Sequence, residues 1–208
     1  MTAPLSPADQ PFTFPREYHF PPFFTRQRNA ITYTAQCQKW SKLILDYCRA
    51  KRIWRLPLVD AIDGELFWNK SLNRRLSLAD AREIIDVMKA KEGRAEWASK
   101  DKNVALVYWR NPEEWATVIG DWVEETAQRG TVLTLYELTE GDLSASQGMC
   151  WLFFNFLGDF GRRVGTDGSV VEFHGMDAEV LQKSLNVLVK RGKAQVFGNE
   201  DQQGVKFF

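Results

Sequence analysis

The side chains able to make and break bonds are few in this sequence, and their spacing does not suit catalysis. Only two histidines occur, His19 and His174, and neither belongs to an HExxH pair. No Walker-type loop is present, and Gly158, Gly161, Gly165 and Gly168 do not form GxGxxG behind a strand. Hydrolase and dehydrogenase chemistry therefore lack carriers, so no enzyme activity, no catalytic residue, no metal and no cofactor are expected. His174 lies near Asp177 at a helix entrance, where a local hydrogen bond is the ordinary role. Cys37, Cys48 and Cys150 are odd in number and form no CxxC pair. No secretory leader is read in the first residues, so free core thiols in a reducing compartment are expected.

What remains is the chemistry of recognition. Phe20, Pro21, Pro22, Phe23, Phe24 and Thr25 end a segment in which prolines 11, 15, 21 and 22 alternate with aromatics. Proline removes backbone freedom in advance, so a stiff, extended arm presenting Phe23 and Phe24 would lose little entropy on entering a hydrophobic pocket. A loose tail with incidental aromatics is the bland alternative. A WW-domain ligand is a poor fit, because the tyrosine that usually ends PPxY is replaced by Phe24. Five tryptophans, Trp40, Trp97, Trp109, Trp115 and Trp122, could in principle stack on bases. Their place in apolar stripes and strand faces assigns them to the core instead.

Charge narrows the partner class. Lys+Arg and Asp+Glu are both 27, so the chain lacks the basic excess that attracts a phosphate backbone. Around residues 80–91, Asp80, Glu83 and Asp86 stand among Arg82, Lys89 and Lys91, whereas Lys183, Lys190, Arg191 and Lys193 make a more basic face further on. Lys183 and Lys190 are candidate contacts for an acidic partner protein. A winged-helix DNA-binding factor is the alternative function from another class.

The elements that position these residues come as a repeat. Trp40, Leu43, Ile44, Tyr47 and Cys48 form a stripe at helical spacing, predicting a helix over about 35–51. Trp115, Val118, Ile119, Trp122 and Val123 repeat that spacing 75 positions later, behind Asn111, Pro112 and Glu114 as start signals and with Gly130 as the stop. Ser77 opens a helix with Leu78, Ala81, Ile84, Ile85 and Met88 facing inward, matched by Val180, Leu181, Leu185 and Leu188. Gly93 and Gly192, 99 positions apart, each lead into two short strands around a polar turn. Helix, extended piece, short helix, longer helix and hairpin is winged-helix order. The expected fold is thus α+β, with two tandem winged-helix domains: an arm over 1–30, domains over 31–110 and 111–208, and a suspected insertion over 143–170. The insertion follows from the offsets, since 75 grows to 99 and leaves 24 surplus residues in the second unit.

Ordered matches at Phe20 to Thr25, Pro112-Glu113-Glu114-Trp115, Leu135 to Gly141, Phe173-His174-Gly175 and Gly204 to Phe208 make the chain resemble the small-subunit family of the ESCRT-II membrane-sorting complex. The likeness runs from Tyr18 to Phe208 and lapses over 143–171. It implies a non-enzymatic cytoplasmic adaptor, recruited to the endosomal membrane indirectly through its complex, that sorts ubiquitinated cargo into multivesicular bodies. It also implies the partners: two larger ESCRT-II winged-helix subunits, on which the proline-aromatic motif docks, and an ESCRT-III subunit recruited by the second domain. No nucleic acid is expected.

Overall fold

A computed structural model describes residues 11–140, 172–198 and 203–208. The chain divides into two compact units, Met1–Asn111 and Pro112–Phe208.

In the first unit two 3-10 turns, Arg16–His19 and Pro21–Phe24, precede helix α1, Ala30–Lys51. The Asn29 side chain caps α1 by accepting from the amides of Ile31 and Thr32. The helix thus begins five residues before the expected Ala35. Its first turn exposes Ile31, so the apolar stripe that would reveal it begins only at Cys37. Strand β1 (Arg55–Pro57), short helix α2 (Leu58–Ala61), a two-residue ribbon of β2 (Trp68–Asn69) and β3 (Arg74–Arg75), and helix α3 (Leu78–Val87) follow. Ser77 caps α3 by accepting from the Asp80 amide at 3.1 Å. The helix runs on through a π-helical turn, Met88–Glu92, to Gly93 at φ 61°. Strands β4 (Ala95–Trp97) and β5 (Val104–Val107) complete an antiparallel sheet of order β1-β5-β4.

The second unit repeats this order. Helix α4 (Pro112–Glu125), strand β6 (Val132–Thr134), short helix α5 (Leu135–Thr139), helix α6 (Ala178–Lys190) and strands β7 (Ala194–Phe197) and β8 (Gly204–Phe207) give a sheet of order β6-β8-β7. Helix α4 stops at Glu125, short of the expected Gly130. Ala127 takes the left-handed φ of 54°, and the Gln128 amide bonds back to the Val123 carbonyl, which closes the helix. Gly130 instead donates to the Phe207 carbonyl and so aligns the approach to β6.

Each core is built from the expected stripes. Trp40, Leu43, Ile44 and Cys48 are buried in the first, and Trp115, Ile119, Trp122, Val180, Leu181, Leu185 and Leu188 in the second. Trp97 is half-buried and its indole donates to Asp86 at 2.8 Å, while Trp109 packs on Trp54. Burial pushes the Cys48 thiol up to about 12 and raises Cys37 as well, so neither is a thiolate near neutrality. Cys150 and the suspected insertion over 143–170 lie outside the described residues.

Candidate partner-docking site

The proline-aromatic segment is folded onto α1 and does not stand out as an extended arm. Pro15 and Phe20 hold extended backbone ahead of the two 3-10 turns, and the segment's rings gather against those of α1. Phe23 lies face to face on Trp40, with centroids 4.3 Å apart and planes 8° from parallel. Phe24 meets the same indole edge-on at 5.5 Å and touches Tyr18 at 5.3 Å. Tyr18 stacks on Phe14 at 4.0 Å, and Phe12 closes the row between Phe14 and Tyr47.

Polar groups fix the backbone of the segment as firmly as the rings fix its side chains. The Phe23 carbonyl accepts from Trp40 Nε1 at 3.0 Å and from Gln36 Nε2 at 2.7 Å, and Gln36 Nε2 also reaches the Thr25 carbonyl at 2.9 Å. Asn69, in β2, donates to the Tyr18 carbonyl at 2.9 Å, and the Tyr18 hydroxyl donates to the Glu65 carbonyl. A buried amide such as Gln36 is tolerated only when satisfied, and these carbonyls satisfy it. Arg26, just past the motif, forms a two-pronged ion pair with Glu83 and lies 4.6 Å above the Tyr33 ring.

This geometry corrects the expectation that Phe23 and Phe24 are presented to a partner from an extended arm. They are 6% and 5% exposed and belong to the first unit's own core. The reason is the indole of Trp40, which offers a flat apolar face and a donor for the carbonyl beside it. The outward residues are Phe20, 61% exposed, with Pro21, Pro22 and Thr25. Buried rings below and a rigid turn above hold Phe20 at the surface with few conformations to lose.

The other candidates lie on α6. Lys190 is exposed near its end, and Lys183 is half-buried and pairs with Glu179 at 3.0 Å. Much of the neighbouring charge is engaged inside the unit, since Lys193 faces Glu124 at 3.6 Å and Arg191 reaches Thr117. On α3, Glu83 holds Arg26, Asp86 holds Lys102 at 2.7 Å, and Arg82 donates to Asn103. A groove-reading helix needs such side chains free to meet bases and phosphates.

The comparisons agree with one another. The family model described as ESCRT-II complex subunit matches residues 17–152. The chain is similar to vacuolar protein-sorting-associated protein 25 of Xenopus laevis, 36% identical over 95% of this chain and 99% of that protein. It is 34% identical to the Homo sapiens protein of that name, over 95% and 98%. The Dictyostelium discoideum relative is 36% identical over 97% and 98%. Among solved structures, a chain of the ESCRT-II endosomal trafficking complex matches with a TM-score of 0.72 at 27% identity, over 93% of this chain and 98% of that one. The DNA-binding alternative finds no support in these matches.

Proposed function

The chain belongs to the family of ESCRT-II complex subunits, and from that premise we propose that it is a non-enzymatic adaptor built of two tandem winged-helix domains. The repeated order of helix, strand, short helix, helix and hairpin supports the winged-helix reading, as does the shared sheet order in which the first strand pairs with the last. A chain similar to this one is part of the solved ESCRT-II complex of VPS22, VPS25 and VPS36. Its own partners are accordingly the two larger subunits of an ESCRT-II complex, in endosomal sorting of ubiquitinated cargo. No helix among the described residues is long and apolar enough to cross a membrane, and the complex carries the chain from the cytoplasm to the endosome.

The observation that carries the docking assignment is the exposed Phe20-Pro21-Pro22 turn locked from beneath by Phe23 on Trp40. Phe20 enters the partner's pocket, the prolines stiffen its approach, and Phe23 and Phe24 act as internal anchors. Burying a phenylalanine contributes about 2 to 3 kcal/mol, roughly a hundredfold in affinity. Full-length chain carrying Phe20→Ala, mixed with the two larger subunits and run through size exclusion, should lose co-elution at submicromolar concentration while keeping its circular dichroism spectrum and melting temperature. Undiminished co-elution would remove Phe20 from the interface.

The second domain recruits an ESCRT-III subunit, with Lys183 and Lys190 as its charged contacts. Their spacing of seven sets both on one side of α6. Reversing both to Glu should spare assembly with the larger subunits and weaken binding of the ESCRT-III subunit. Equal binding by the variant would place the contact elsewhere.

A further inference from the structure

Arg74-Arg75-Leu76-Ser77-Leu78 sets two cations three and two residues before a serine, with an apolar residue directly after it. Protein kinases choose substrates by charge pattern, and a kinase whose peptide groove is lined with carboxylates reads this spacing. The pattern serves such an enzyme only where the serine is exposed and the backbone extended. Both conditions are met. Arg74, Arg75 and Ser77 are exposed, and Leu76 between them turns inward, its amide donating to the Phe67 carbonyl at 2.9 Å. Arg74 and Arg75 form β3, and Ser77 holds φ −74° and ψ 151° ahead of α3. Among the described residues β3 is paired along one edge, by β2. Leu78 is the first helical residue, and the amide of such a residue makes no bond within the helix, so this position opens readily. Arg75 pairs with Asp63 at 2.6 Å, but the two side chains are 57% and 63% exposed. Water screens such a pair, and a kinase's carboxylates can replace Asp63.

The hydroxyl also stands where a phosphate would be received. Ser77 Oγ accepts from the Asp80 amide at 3.1 Å and donates to Asp80 Oδ2 at 2.6 Å, and Asp80 Oδ1 lies 3.8 Å from Arg26 Nη1. A phosphate keeps the acceptor role toward the amide, with a negative charge that the start of a helix favours. It loses the proton that bonded Asp80, and like charges drive the carboxylate away. Arg26, already in contact with Asp80 and Glu83, is the cation that the phosphate draws toward itself.

We infer that Ser77 is a phosphoacceptor for a serine kinase that reads basic residues, and that Arg26 receives the phosphate. In the transfer, Ser77 Oγ bonds to the γ-phosphorus of ATP as the bond from that phosphorus to the β,γ-bridging oxygen breaks. ADP leaves, and the serine proton passes to a base of the kinase. Arg26 follows Thr25 directly, so the modification competes for the cation that ties the end of the proline-aromatic segment to α3. The inference does not depend on which residue of that segment enters a partner.

The test incubates the full chain with ATP and the catalytic subunit of cAMP-dependent protein kinase and maps the phosphate by peptide mass spectrometry. Ser77 should be modified. Thr166, behind Arg162 and Arg163, has a looser spacing, so only phosphate located at Ser77 counts. Arg74→Gln with Arg75→Gln leaves the hydroxyl in place and should lower kcat/KM at Ser77 by at least about tenfold. In the phosphorylated chain followed by phosphorus NMR, Arg26→Gln should raise the midpoint of the phosphate titration by about half a unit, because losing a cation disfavours the dianion. No phosphate at Ser77, or a rate indifferent to both arginines, would overturn the acceptor site. So would a rate that climbs with the unfolded fraction in Phe23→Ala, since the unfolded chain would then be the substrate. An unmoved midpoint would overturn Arg26 as the receiver.

Discussion

The first and second units share an element order and a sheet order, yet they place their surface-seeking aromatics on opposite sides of the balance between core and solvent. In the first, Phe23 and Phe24 precede α1 and fold back beneath it, so that the Trp40 indole is sandwiched and both rings are lost from the surface. In the second, Phe197 and Phe208 lie on the outer face of the sheet, with Gly204 and Lys206 as their neighbours. Residue type does not separate the two cases, since all four are phenylalanines close to a strand or helix end. The difference lies in the polar partner: the backbone of Phe23 is held by Gln36 and Trp40 Nε1, and burying a ring is favourable when the carbonyl beside it is satisfied too.

That difference can be broken most severely at Phe23. Replacing it by Ala removes a ring stacked on a fully buried indole and should destabilise the first unit by about 3 to 5 kcal/mol. Phe197→Ala, at a half-exposed position, should cost no more than about 0.5 kcal/mol. Urea denaturation of the full chain followed by tryptophan fluorescence measures both. Equal losses would mean that the two rings play the same part.

Gln36 is the next lever. Gln36→Leu keeps the volume but leaves the Phe23 and Thr25 carbonyls one donor short inside the unit, which should cost about 1 to 3 kcal/mol. Because Trp40 Nε1 still bonds Phe23, the loss should fall below that of Phe23→Ala. A larger loss would make the carbonyl network, not the stacked rings, the main clamp on the segment.

A gentler perturbation is alkaline pH. Burial, with the Glu65 charge adding to it, pushes the Tyr18 phenol from 10.0 up to about 12. The folded state keeps this proton more tightly than the unfolded chain, so the contribution is intact below pH 10 and drains away as pH rises toward 12. Tyr33 and Tyr47 are shifted in the same direction, chiefly by burial. The urea midpoint should therefore fall between pH 9 and 11, and Tyr18→Phe should shallow that fall without erasing it. An unchanged slope in the variant would place Tyr18 in a wetter environment than its packing implies.

These contrasts also show what a sequence can and cannot declare. Helix stripes were legible because burial repeats along them: Ala81, Ile84, Ile85 and Met88 are all buried, and the Ser77 cap and Gly93 stop are local chemistry. The start of α1 was less so, because its first turn buries nothing. Ribbon β2-β3 has two residues per strand, too few for an alternation to register. At the candidate site the motif was visible but its inside and outside were not. Whether Phe20 or Phe23 faces solvent depends on where the chain turns relative to Trp40, seventeen residues beyond Phe23 and held to it by one indole hydrogen bond.

The smallest expected effect concerns the place where the repeat stops being a repeat. From β1 to β6 the two units are displaced by 77 positions (55 to 132), and from α3 to α6 by 100 (78 to 178), so the second carries 23 more residues between its short helix and its long one. The first unit connects the same two elements through Ile62–Ser77 and still buries Leu66, Phe67 and Leu76 along the way. In the second unit, Phe173 and Met176 fill the corresponding approach to the long helix, Phe173 meeting Trp122 edge-on at 5.4 Å. Residues after 171 thus supply buried apolar side chains on this side of the second unit's core. We propose that 143–170 is an insertion unnecessary for folding and for assembly, of the kind that translated intron sequence would produce. Deleting Leu143 to Val170 should leave the urea midpoint within about 0.5 kcal/mol of the intact chain and co-elution with the larger subunits unchanged, because loop length itself alters closure entropy only slowly. Loss of the fold on deletion would mean that Phe173 and Met176 depend on the segment for their placement, and the two units would then differ in their cores as well as on their surfaces.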